Sequence, residues 1–241
     1  MNKLIGISDE EANNTMADVE FAKRKAAEAA LSYIDPDQLL GVGTGSTVSC
    51  FIEAMILNKV FPAAAIPTSA VTEKLLLEAG IKITQHEEAN QLIPVYIDSA
   101  DFIDYSGQAI KGGGGAHRIE KQVACSSRTW VCIIDESKLI DQWQEPFPLP
   151  LEIIPTEYNQ VAAQVKAMGG RLIRRISAKA DSGNLLADIH EIDLTGDLKE
   201  LEIAIERIPG VAACGIFAIR KADIILVGSS DGTVILIEPG R

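Results

Sequence analysis

The chain has 241 residues, 47% of them hydrophobic and 23% charged, and a formal net charge of −12. That length suits a main domain with a smaller companion, and that composition buries a sizeable core and excludes global disorder. A surface this acidic repels nucleic acid and anionic membranes, so an anionic ligand has to be caught by a local positive or amide-lined pocket.

Along the chain, the first fifteen or so residues are polar and read as a loose tail without the apolar run of a signal peptide. No stretch reaches the roughly 18–20 apolar residues that cross a bilayer, and the expected location is the cytoplasm. Residues 17–34 carry Val19, Ala22, Ala26, Ala29, Ala30 and Tyr33 near helical spacing, and Pro36 ends that helix. Residues 39–42 form a short apolar strand running into the glycine loop GVGTGST. Ser46 or Thr47 is expected to cap the next helix, which runs to about Leu57. A strand at 63–67, a helix over 68–80 and a strand at 81–84 follow. Residues 95–97 are a strand that stops at Asp98, and after KGGGG a helix covers 116–126 and a strand 129–134. Apolar strands alternating with helices indicate a mainly parallel sheet covered on both faces.

Residues 142–150, QWQEPFPLP, mark a boundary, since three prolines in nine residues break helices and central strands. Beyond it the order is strand 151–154, helix 157–168, strands 171–176 and 185–192, helix 198–208 and strand 211–218. That is the β-α-β-β-α-β order of a ferredoxin-like unit. Two further β-runs, 223–227 and 233–237, are placed to return to the first sheet. The expected fold is therefore α/β, a Rossmann-like domain of residues 1–143 and 222–241 with an inserted ferredoxin-like α+β domain of residues 144–221. Cys50, Cys125, Cys132 and Cys214 form no C-x-x-C pair or Cys/His cluster and read as reduced, mostly buried thiols.

Three motifs carry chemistry. Gly41 to Thr47 lies at a strand-to-helix junction, where backbone amides and a helix N-terminus converge on an anion. Its dinucleotide reading fails because Ser46 stands where a third glycine belongs, and no lysine follows as in a Walker A loop. A single-phosphate site is preferred, with a plain tight turn as the alternative. The second motif is Asp98 and Asp101 in VYIDSAD, at the carboxyl end of a strand where ligands of open α/β sheets bind. By themselves they are equally well a solvated turn. In the third, IKGGGGAHRIEK, four glycines beside Lys111 suggest a nest of amide donors next to a fixed charge. Glu120 then lies in the first turns of the following helix, placed as a general base or as an ordinary exposed glutamate. His86, His117 and His190 receive no role, and without an H-x-x-H pairing no metal site is expected. A phosphate cradle, a cation with amides, two acids and a base are what shuttling a proton between neighbouring carbons through an enediolate requires.

Taken in order, GVGTGST, IPTSAVTEKL, YIDSAD, IKGGGGAHRIEK, DESK with FPLPLEIIP, and IPGVAACGIFAIRKAD with DGTV resemble the A-type ribose-5-phosphate isomerases over nearly the whole chain. The resemblance implies interconversion of ribose 5-phosphate and ribulose 5-phosphate without metal or cofactor, by a homodimer or dimer of dimers. Thr44, Gly45, Ser46 and Thr47 would hold the 5-phosphate, Glu120 would move the proton, and Asp98, with Asp101 beside it, would help open the furanose ring. Lys111 and the amides of Gly112, Gly113 and Gly114 would stabilise the enediolate. Lys138, Ser99 and Ala100 would contact substrate, and Lys23 would approach the phosphate. The family usually reads D-G-A-D-E where this chain has Asp98-Ser99-Ala100-Asp101-Phe102, and L-T-R-E or L-T-Q-E where it has His117-Arg118-Ile119-Glu120. Two other classes compete. A non-catalytic sugar-phosphate sensor would lack the Lys111/Glu120 pair and carry a DNA-binding module. A CoA-transferase-like or nicotinamide-dependent enzyme would need a different glycine loop.

Overall fold

The structure, a computed structural model, describes residues 9–86, 92–143 and 147–240, and of residues 9–15, 177 and 179 the backbone alone. The first half contains α1 (Asp9–Ala30), β1 (Leu39–Val42), α2 (Ser46–Asn58), β2 (Ala64–Pro67), α3 (Ala70–Glu78), β3 (Ile93–Asp98), β4 (Phe102–Asp104), β5 (Ala109–Ile110), α4 (His117–Cys125), β6 (Ser127–Asp135) and β7 (Leu139–Ile140). The second contains β8 (Leu149–Ile153), α5 (Tyr158–Ala167), β9 (Arg171–Lys179), β10 (Leu185–His190), α6 (Leu198–Glu206), β11 (Val211–Cys214), β12 (Ile216–Phe217), β13 (Ile224–Gly228) and β14 (Val234–Ile237).

The main sheet has the order β14-β13-β6-β3-β1-β2. All its neighbours are parallel except β13 and β14. Its inner strands are apolar on both sides because both faces are covered there, while the edge strand β14 stays partly exposed. On one face α1 and α2 bury Ala26, Ala30, Val48 and Phe51 against Leu40, Val42, Ile97 and Ile133. On the other, Val123 and Ala124 of α4 pack with Tyr96, Trp130 and Phe217. The chain leaves β1 for β2 on one side and returns to β3 on the other, which makes the gap beyond β1 and β3 the switch point where open α/β sheets bind ligands.

A second sheet, β11-β8-β10-β9, is wholly antiparallel and forms with α5 and α6 the expected β-α-β-β-α-β unit around Leu149, Leu151, Val161, Ile189 and Ile205. A third sheet, β12-β5-β4-β7, was not foreseen. Its strands are two or three residues long, too short to show a period.

The structure corrects several boundaries. The first helix begins at Asp9, inside the expected tail, whose residues 1–8 lie outside the described residues. Gly45, not Ser46 or Thr47, is the N-cap of α2 and no side chain caps it. Residues 81–84 contribute one bridge, Ala65 to Ile83, rather than a strand. The run 211–218 breaks at Gly215 into two strands of different sheets. Of the expected linker, residues 144–146 lie outside the described residues, while Pro150 sits in β8, an interior strand. A proline is accommodated there because it lies at the strand's start, past the last β11 pairing at Leu151, and uses only its carbonyl, which accepts from the Gly215 amide at 2.8 Å.

Candidate active site

The cleft at the switch point has a volume of about 230 Å³. Its base is the junction of β1 and α2. The Gly43 amide donates to the Ile97 carbonyl at 2.9 Å, which sets this loop level with the end of β3. Only glycine fits there, because a Cβ on Gly43 would lie 1.9 Å from the Asp98 carboxyl carbon. Thr44 turns its hydroxyl away into a cluster with Thr68 (2.8 Å), Ser69 (2.9 Å) and Thr72 (3.2 Å), and its amide donates to Asp98 Oδ1 at 3.0 Å. The first-turn amides of α2 lack intrahelical partners and, with the Ser46 and Thr47 hydroxyls, are left for an anion.

The third sheet brings in the remaining groups: Asp101 precedes β4, Lys111 follows β5 and Lys138 precedes β7. The Lys111 ammonium is buried, 2.7 Å from Asp98 Oδ2 and 3.3 Å from Glu120 Oε2, and it donates to the Ser99 carbonyl. Asp98 is fully buried and its two oxygens accept from the amides of Thr44 and Ser99, the Tyr96 hydroxyl and Lys111. Glu120, on the first turn of α4, has Lys111 as its ionic partner, yet Oε2 lacks a well-aligned hydrogen bond. Two buried carboxylates therefore share one ammonium, and they do so unequally.

The electrostatic consequence falls on Glu120. Burial pushes its carboxyl well above the ordinary range; Lys111 pulls it down by less, and Asp98 adds a further push upward. Burial alone would lower the Lys111 ammonium, but Asp98 and Glu120 lift it above its usual value, so it stays charged. His117, for which no role was expected, lies under the glycine loop, where a Cβ on Gly112 (φ 112°) would meet its Nδ1 at 2.6 Å. Its ring nitrogens make no well-aligned hydrogen bond. Burial, reinforced by Lys121 and Arg175, drives its pKa down to about 3, and the Ala213 backbone lies near enough only to offset a little of that. The ring is thus a neutral packing group.

Thr44, Gly45, Ser46, Thr47, Ser99, Ala100, Asp101, Lys111, Gly112, Gly113, Gly114, Glu120 and Lys138 all line this one cleft, and Lys23 of α1 joins them while paired with Glu20 at 2.7 Å. Asp98 stands behind the wall, and Asp101, which accepts from the Gly113 amide at 2.7 Å, is the acid of the pair that lines the cleft. Phe102 packs on Phe147 at 3.8 Å between centroids and lies under the Lys138 ammonium at 5.4 Å, so an aromatic face borders Lys138. Sequence reasoning missed Tyr96, the Thr68–Ser69–Thr72 cluster and Asp135. The last is buried in the cleft wall, its Oδ2 without a partner among the described residues and its Oδ1 accepting from the Ser137 amide at 3.0 Å. Asp135 was visible only as part of DESK. Its position at the end of β6, the strand that pairs with β3, was the available signal. Among the described residues no cluster of His, Cys, Asp and Glu has the arrangement of a metal site.

Such a cleft, an anion-ready helix start facing a buried ammonium and carboxylates at the end of a parallel sheet, belongs to α/β proteins that act on small phosphorylated metabolites. The profile of the family "Ribose 5-phosphate isomerase A (phosphoriboisomerase A)" matches residues 64–232. Ribose-5-phosphate isomerase A of Histophilus somni (strain 2336) is 40% identical over 214 residues, covering 89% of this chain and 97% of that protein. The crystal structure of ribose 5-phosphate isomerase A from Neisseria gonorrhoeae superposes with a TM-score of 0.87 at 36% identity, covering 92% of this chain and 98% of that one. The structure of the protein of the same name from Methanocaldococcus jannaschii gives 0.83 at 34%, covering 91% and 99%. The chain belongs to the ribose 5-phosphate isomerase A family.

Proposed function

We infer that the protein is an aldose–ketose isomerase that interconverts D-ribose 5-phosphate and D-ribulose 5-phosphate in this cleft. The observation that carries the reading is Glu120: a buried carboxyl of raised proton affinity beside a permanently charged Lys111, opposite the free amides of a helix N-terminus. The phosphate would rest on the Gly45–Ser46–Thr47 amides and hydroxyls, with Lys23 and Lys138 at the rim. That arrangement leaves the Thr44 hydroxyl, held in its own cluster, to shape the loop. Glu120 takes the proton from C2 of the open-chain aldehyde, the electron pair forms the C1–C2 double bond, and the charge settles on O1. Lys111 and the glycine-loop amides stabilise that charge. A proton passes from O2 to O1, and Glu120 returns its own to C1, leaving the carbonyl at C2. Ring opening falls to the Asp98–Asp101 pair. Asp101 contacts the sugar, while Asp98 acts by fixing Lys111 and the Thr44 amide. Charge stabilisation is thereby assigned to the chain's own groups, with no metal or cofactor.

We also propose that residues 1–143 with 222–241 form one domain and residues 144–221 an inserted one, and that the enzyme works in the cytoplasm as a homodimer or dimer of dimers. Among the described residues no helix is long and apolar enough to cross a membrane. Glu120→Gln tests the mechanism. It is expected to lower kcat by about 10³-fold or more, at the upper end for a lost general base, while ribose 5-phosphate still binds. Turnover near that of the unaltered enzyme would remove Glu120 from the role.

A further inference from the structure

The glycine loop is held from outside the main sheet. Arg175, on β9 of the second sheet, donates from one guanidinium nitrogen to the carbonyls of both Gly112 and Gly113, each at 2.9 Å. Its other nitrogens are clamped by Asp188 of the neighbouring β10, Nε to Oδ2 at 2.8 Å and Nη2 to Oδ1 at 2.6 Å. The bidentate pair leaves the fork little freedom. In a planar trans peptide the N–H points opposite to the C=O, so whatever holds the two carbonyls also aims the amides that follow them. The first of these, Gly113 N–H, donates to Asp101 at 2.7 Å. The second, Gly114 N–H, makes no hydrogen bond with the described residues, and the space around Gly114 is open: a Cβ there meets nothing within 4 Å. The loop closes on itself through Gly115 N–H to Gly112 O at 3.0 Å, so of the two amides that follow the gripped carbonyls it is Gly114 N–H that has no partner among the described residues.

We propose that Arg175, locked by Asp188, is a positioning residue for the isomerisation: it fixes the Gly112–Gly114 peptides so that Gly114 N–H faces the developing enediolate and Gly113 N–H orients Asp101. The guanidinium charge also polarises both peptides, which strengthens the amides as donors. The second sheet thus reaches the chemistry through two carbonyls, without touching substrate. This inference rests on the isomerase reading above.

Arg175→Met, Arg175→Lys and Asp188→Asn test it, each compared with the unaltered enzyme in kcat, KM for ribose 5-phosphate, inhibition by inorganic phosphate, and Tm. Loss of an aimed oxyanion donor acts on the transition state. Arg175→Met should therefore lower kcat by at least about tenfold with KM within about threefold, and inhibition by phosphate should be unchanged because the α2 cradle is untouched. Arg175→Lys, which keeps the charge without the fork, should recover part of that loss, and Asp188→Asn should show the same split more weakly. If Arg175→Met does not fold, the other two variants decide by the same split. Unchanged kcat in folded variants, or a kcat loss matched by an equal loss of phosphate inhibition, overturns the proposal. An unaltered enzyme inactive on ribose 5-phosphate overturns the isomerase reading itself; an active one with unchanged variants overturns only the role of Arg175.

Discussion

One ammonium between two buried carboxylates cannot satisfy both, and the division of hydrogen bonds decides which one remains a base. Asp98 accepts from four donors, two of them backbone amides, whereas among the described residues Glu120 has only the Lys111 ion pair at 3.3 Å. Glu120 is accordingly the carboxyl whose proton affinity burial raises. A base must be deprotonated to act, so kcat/KM should rise with pH along a limb whose midpoint lies well above the ordinary glutamate value of about 4.3. Below that midpoint the decline should approach tenfold per pH unit. A profile flat from pH 5 to pH 8.5 would contradict the electrostatic account. The midpoint belongs to the Glu120–Lys111–Asp98 group as a unit rather than to one side chain.

At the scale of elements, the site depends on how β1, β3 and α2 meet. Gly43 lets the β1–α2 loop pass against Asp98 with no side chain between them. Gly43→Ala should displace either the loop or the carboxylate, and with them Lys111. A fall in kcat of about 10²-fold or more is expected, as for other displacements of about 1 Å, with circular dichroism retained. Activity close to normal would mean that the Asp98 contact does not set the geometry. The glycine motif, the strand ends and the position of Glu120 in the first turn of a helix were all legible in the sequence, because each is a local pattern of a few residues. The third sheet was not. Phe102–Asp104, Ala109–Ile110, Leu139–Ile140 and Ile216–Phe217 are too short to announce themselves, and they become strands only by pairing with one another. Yet this sheet carries Asp101, Lys111 and Lys138 to the cleft.

Over the whole molecule, several large apolar side chains stay in water, and some lie on edge strands: Ile176 on β9 is 90% exposed, and Ile235 and Leu236 on β14 are about half exposed. Open edges carrying apolar groups favour a further chain against them. Sedimentation at micromolar concentration should give a mass near two or four times the chain's 25.9 kDa; a monomer throughout would rule out the proposed assembly. Sequence by itself determined the alternation of strands and helices, the glycine loop between β1 and α2, the Lys111–Glu120 segment and the family, because motif order and hydrophobic period are written in neighbouring residues. Tertiary structure alone decided that Asp98 stands behind the cleft wall while Asp101 lines it. It also decided that Glu120 is buried rather than solvated, and that Arg175, 63 positions from Gly112, grips its carbonyl. Burial and long-range hydrogen bonds depend on which distant segments the fold places together, and the ionisation of Glu120 follows from that burial.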